Sequence, residues 1–241
     1  MTAAFDAAAL LAVARAAGLT SRAPGFSHPS VPAPVRAGFA LAVGFAVTPS
    51  IAPVRLEIGA LALAVAANFA VGAAIGFGAS LLYDGAYFAG RTIDDYLGVR
   101  GSVPGANVTS AQAFGRLWSS VFLIAFLALD GWVPVVRAFA GSFAHIPAAG
   151  FPGACGWSRY ALMLPATVMK AALMVAAPAI AVAVALHLTL AAAARVVPRF
   201  SSASIAFPAV FAAALLVTLA GVPLLAPLGA HPWLVLPWSE R

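Results

Sequence analysis

The chain has 241 residues, of which 63% are hydrophobic and only 8% charged, and that leaves too little polar surface for a soluble globule of this size. It reads as an integral membrane protein. Its formal charge of +6 does not point to nucleic acid, because the thirteen basic residues are scattered one or two per loop, with no cluster and no basic helix.

Taken in order, Phe5 to Leu19 is apolar but short, and it carries Asp6 and Arg15. That suits a helix buried among other helices better than one facing lipid. With no basic stretch ahead of it, it does not read as a cleaved signal peptide. The segment 20–34 collects Pro24, Gly25, Pro29, Pro32 and Pro34 and reads as an irregular connection closed by Arg36. A second uncharged run, Ala37 to Val54, should stop being helical by about Thr48, ahead of Pro49 and Pro53. Arg55 and Glu57 then lead into a third helix, making a hairpin of the second and third.

Residues Ile58 to Tyr83 carry no charge over 26 positions, about 39 Å as a helix against a hydrocarbon core of about 30 Å. Within them Asn68, Gly72, Gly76 and Ser80 recur every four residues and so share one helix face. Small and polar groups meet lipid poorly and suit close backbone contact with another helix. The run is expected to break at Asp84-Gly85. The fifteen residues from Asp84 to Gly98 hold three of the seven acidic residues, and read either as a solvated loop or as a contact segment in a larger assembly.

Gly101 to Gly115 is polar, and Arg116 marks re-entry into Leu117 to Leu129, a run of 13 residues that is short for a lone span. Continued past Asp130-Gly131 to Phe143, it becomes a broken helix or helical hairpin whose irregular backbone needs protein cover. After a Pro/Gly-rich loop from Pro147 to Trp157, the stretch from Tyr160 to Ala194 is nearly all apolar. Pro165 and Pro178 predict a bent helix or two half-helices there. Arg195 to Ser204 is a polar turn, Ile205 to Leu228 the last span, and Trp233 and Trp238 suit a membrane interface. The connections 20–36, 84–116 and 195–204 are assigned to the cytoplasmic side on their Lys/Arg content.

Little in this pattern carries chemistry. The single cysteine, Cys155, excludes an internal disulfide and a Cys-based metal site. His28, His145, His187 and His231 share no ligand spacing, so neither metal nor cofactor is expected. Asp84-Gly85 with Arg91 and Asp94-Asp95 invites comparison with intramembrane phosphotransferases, but Phe88 and Ala89 stand where that motif wants Ala and Arg. Lys170 lies inside an apolar run, where a central cation facing lipid costs roughly 2.5 kcal/mol or more. It should face a polar interior, a partner subunit, or an interface by snorkelling.

The segment Leu127-Ala128-Leu129-Asp130-Gly131-Trp132 through Arg137 to Ser142-Phe143-Ala144-His145-Ile146-Pro147 resembles the FliR/SctT family of export-gate membrane proteins of flagellar and virulence-associated type III secretion systems. Further similarities follow in the same order: Arg15, Pro24, Pro32 and Arg36; Gly72 and Gly76; Ala89-Gly90, Ile93-Asp94 and Gly98; Pro178; and Ala194-Arg195-Val196-Val197-Pro198. Asn68, Tyr96 and Arg199-Phe200-Ser201 depart from the family's usual Glu, Gln and Gln-x-Asn, which leans toward the virulence-type branch.

The resemblance implies one all-α, multi-pass membrane domain over residues 1–241, in a bacterial inner membrane and in contact with its lipid. It would pack with other small membrane subunits into a hetero-oligomeric gate that conducts unfolded secreted proteins, without catalysis. On that reading Gly72, Gly76, Gly90 and Gly98 pack helices closely, with Asn68 and Ser80 on the same face. Gly131 and Ser142 shape the broken segment. Asp94 and Asp95 make subunit contacts, paired with Arg91, and Lys170 and Arg195 serve as polar contacts or conduit groups. A small multipass solute transporter using Lys170, His187 and the acidic segment is the alternative.

Overall fold

The computed structural model describes residues 7–27, 31–97, 113–151, 154–197 and 203–221, with 234, 236 and 238; at 154–156, 203–205 and 221 it describes the backbone alone. Among the described residues the chain is all-helical: α1 (Ala8–Arg22), α2 (Ala33–Val47), α3 (Ile58–Leu97), α4 (Phe114–Ala128), α5 (Trp132–His145), α6 (Ala154–Ala194) and α7 (Ala203–Gly221). The bounds of the first two helices differ from expectation. α1 runs on through Thr20 to Arg22, and α2 begins at Ala33, so Arg36 lies in its first turns instead of closing a loop. Pro34 favours that early start, since its fixed φ suits the first helical turn and its missing N–H is not needed there. At the other end Pro49 cannot continue the ladder, and α2 tightens into a 3₁₀ turn over Thr48–Ser50.

The largest difference is in α3, which continues unbroken for 40 residues through the polar stretch expected to interrupt it. No proline falls in it, and the two glycines of the polar stretch, Gly85 and Gly90, are covered by other helices. A Cβ on Gly85 would come 2.6 Å from the Cβ of Ala171, and one on Gly90 would meet the backbone of Phe114 and Gly115. A polar segment with such cover gains more as helix than as solvated loop. α6 likewise runs continuously through Pro165 and Pro178, so the two half-helices are not formed. Apolar helices tolerate proline where neighbouring groups meet the freed carbonyls.

The break at Asp130-Gly131 is present: α4 and α5 meet at 72°. Among the described residues two helices are long and apolar enough to cross a membrane, Ile58–Leu97 and Trp157–Ala194, or three if the bent pair counts as one span.

The chain forms two compact units. The first comprises Met1–Leu81, Ala125–Pro165 and Trp233–Arg241, the second Leu82–Ile124 and Ala166–Pro232. The core of the first gathers Leu19, Ala40, Val71, Ile75, Val135 and Phe139. That of the second gathers Ala86, Ile93, Phe114, Trp118, Ala179 and Ala214.

Candidate functional site

Within the first unit, α1 and α3 approach until their backbones touch. A Cβ added to Gly72 would land on the Arg15 carbonyl oxygen, one on Gly18 would land on that of Phe69, and one on Gly76 would come 2.6 Å from that of Leu19. Only glycine permits this spacing, because any side chain would have to displace main chain. The four-residue glycine row of α3 therefore faces α1 of the same chain. α2 packs on the other side of α1 in the same manner, with Gly44 against Val13.

That close approach carries Arg15 fully inside, at 0% exposure. Its Nε donates to Asn68 Oδ1 at 2.9 Å, Nη1 to Ser142 Oγ at 2.8 Å and Nη2 to the Ile146 carbonyl at 2.9 Å. Asn68 in turn donates through Nδ2 to the carbonyls of Ala64 and Ala148, each at 2.8 Å, and Ser142 donates to Phe139 O at 2.6 Å. The Phe143 ring lies 3.9 Å beneath the guanidinium carbon.

The four partners among the described residues are neutral, yet the charge is not left uncompensated. Ile146 is the residue that caps α5, so the Arg15 guanidinium sits at the end of that helix, where the negative end of its dipole favours a cation, while Asn68 reaches the Ala148 carbonyl in the turn beyond. The aromatic face beneath adds a cation–π attraction. Burial lowers the Arg15 pKa to about 10, which still leaves it cationic at neutral pH.

Within the second unit the N-terminus of α4 is held by the opposite charge. Asp94, buried on α3, accepts from the backbone N–H groups of Phe114 at 3.0 Å and Gly115 at 3.1 Å, with Ala113 at 3.4 Å. A carboxylate on the orphan donors of a helix start is the favourable sign there. Gly90, one turn earlier on α3, lets the two helices come together at that point. A cation therefore terminates α5 and an anion begins α4.

Between them lies the bend. Asp130, with φ 51°, occupies the left-handed position of a Schellman turn, in which Gly131 N–H donates to Phe126 O at 2.8 Å and Asp130 N–H to Leu127 O at 3.3 Å. Gly131 itself has an ordinary helical φ of −57°. It is small for a different reason: a Cβ there would strike the Phe126 ring.

The other expected residues are placed as follows. Asp95 is 74% exposed and lies 4.0 Å from Arg91, one turn before it, whereas Asp94 turns away from Arg91 to α4. Ser80 is buried and bonds to its own helix at Phe77 O. Lys170 and Arg195 are exposed on α6 and just after it. Gly98, His28 and His231 lie outside the described residues. His187 stands 6.0 Å from the Tyr96 ring, and Tyr160 donates from its hydroxyl to Ala74 O at 2.5 Å.

Gly18 and the capping role of Arg15 were not anticipated. An arginine inside an apolar run signals burial, but nothing local names its acceptors. No group of three or more His, Cys, Asp or Glu able to hold a metal occurs among the described residues.

A family model described as bacterial export proteins, family 1, matches residues 7–233. The chain is also 28% identical over 223 residues to the flagellar biosynthetic protein FliR of Escherichia coli (strain K12), covering 90% of this chain and 85% of that protein.

Proposed function

The chain belongs to the bacterial export proteins, family 1, and from that premise we propose that it is a non-catalytic, multi-pass subunit of the inner-membrane export gate of a type III secretion apparatus. Unfolded proteins are what it would help to pass, in a hetero-oligomer with other small membrane subunits. The match across residues 7–233 carries this reading, and the buried anchors fit it: both charge caps fasten helices and neither builds a catalytic centre. A solute-transporter reading gains no such support.

The exposed polar groups Asp95, Lys170 and Arg195, with the half-buried Arg91, are the ones available for subunit or conduit contacts, while Asn68, Gly72, Gly76, Gly131 and Ser142 serve the packing of the first unit and Gly90 that of the second. The departures at Asn68 and Tyr96 lean toward a virulence-type system, whereas the E. coli relative is flagellar. Deletion of the gene separates them: loss of secreted effectors with motility intact assigns the former, loss of motility the latter. An affinity-tagged chain in mild detergent should carry other small membrane subunits with it. Recovery of the chain alone, with secretion unaffected by its deletion, would overturn the proposal.

A further inference from the structure

In the second unit the outer side of α6 carries a backbone group that lipid cannot satisfy. Pro178 has no N–H, so the carbonyl of Met174, one turn earlier, loses its partner in the helix ladder. Both residues are exposed, Met174 at 73%, while Val175 and Ala179 on the other side belong to the unit's core. α6 is also one of the two helices long and apolar enough to cross a membrane. Hydrocarbon offers no donor, and an unmet carbonyl is strongly disfavoured there.

Two further features narrow what meets that carbonyl. Ala177, Ala181 and Ala185 recur every four residues beside it and are all exposed, so the backbone of a neighbouring helix can come close. Lys170, four residues before Met174, is exposed in the same row, and a cation on an apolar span calls for an acceptor.

We propose that this face, from Lys170 to Ala185, docks a helix of another membrane subunit, one that presents a side-chain O–H or N–H donor to the Met174 carbonyl and a carboxylate to Lys170. A lipid phosphate would answer Lys170 alone, since acyl chains carry no donor for the carbonyl. The proposal rests on the export-gate reading above and adds to it the face and the chemistry of the partner.

With p-benzoylphenylalanine in place of Ala181, irradiation of membranes should yield an adduct of this chain with another membrane subunit of the export apparatus, identified by its peptides. Adducts with lipid alone, or no adduct, overturn the docking face while the tagged wild-type chain still recovers those subunits. If the wild-type chain recovers none, the export-gate reading falls and the docking face with it.

Pro178→Ala separates docking from folding. It returns the N–H to the ladder, so the isolated chain should melt at a higher temperature. Recovery of partner subunits should nevertheless fall about fivefold, the worth of one hydrogen bond. Unchanged or raised recovery overturns the donor. Lys170→Met should lower recovery too, more in low salt than in high, and no change overturns the carboxylate.

Discussion

At the scale of single residues, two ionised side chains of opposite sign and similar burial behave alike because each answers a helix end. Arg15→Met would leave Asn68 Oδ1, Ser142 Oγ and the Ile146 carbonyl without their donor, and should cost about 3 kcal/mol of stability, read as thermal unfolding in detergent. Arg15→Lys should recover less than half of that, because a point ammonium cannot reach three acceptors arranged for a planar fork. Asp94→Ala should cost about 1–2 kcal/mol, as the loss of an N-cap does. Its neighbour differs: Asp95 is exposed and 4.0 Å from Arg91, so Asp95→Asn should change stability by less than about 0.5 kcal/mol. A defect in assembly with stability unchanged would then locate a subunit contact at Asp95.

At the scale of elements, the α1–α3 seam and the α4–α5 bend make different demands on glycine. Gly72→Ala drives a Cβ into the Arg15 carbonyl and should cost about 1–3 kcal/mol, with larger losses for Gly76→Leu. Gly141 on α5 has nothing within 4 Å of where its Cβ would be, and Gly141→Ala should gain up to about 1 kcal/mol from helix propensity alone. At the bend the left-handed residue is Asp130, so Asp130→Gly should stabilise by about 0.5–1 kcal/mol, while Gly131→Ala destabilises against Phe126. The same melting series ranks all five, and a stabilising Gly72→Ala would remove the seam from the account.

At the scale of the whole molecule, large apolar side chains remain outside on several helices, among them Ile58 at 88% exposure, Leu162 at 79% and Leu216 at 67%. Lipid or partner protein must cover them, and the chain should stay in the pellet when membranes are washed in alkaline carbonate. Release into the supernatant would contradict the membrane assignment.

How much of this was legible follows from how far apart the determinants lie. The break at Asp130-Gly131, the end of α2 before Pro49 and the four-residue row Asn68, Gly72, Gly76 and Ser80 were all readable, since each is written within a few residues. Class and membrane setting followed from the scarcity of charge. What the chain by itself could not declare was whether Asp84–Leu97 is loop or helix: polarity looks the same in both, and the answer came from Ala171, Phe114 and Gly115 covering its glycines.

Nor could it name α1 as the mate of the glycine row, or join Arg15 to partners 53, 127 and 131 positions away. Periodicity and composition are local or summed properties and survive in a string of letters. Helix pairing and the capping of one helix by a charge on another depend on contacts that exist only once distant segments have met.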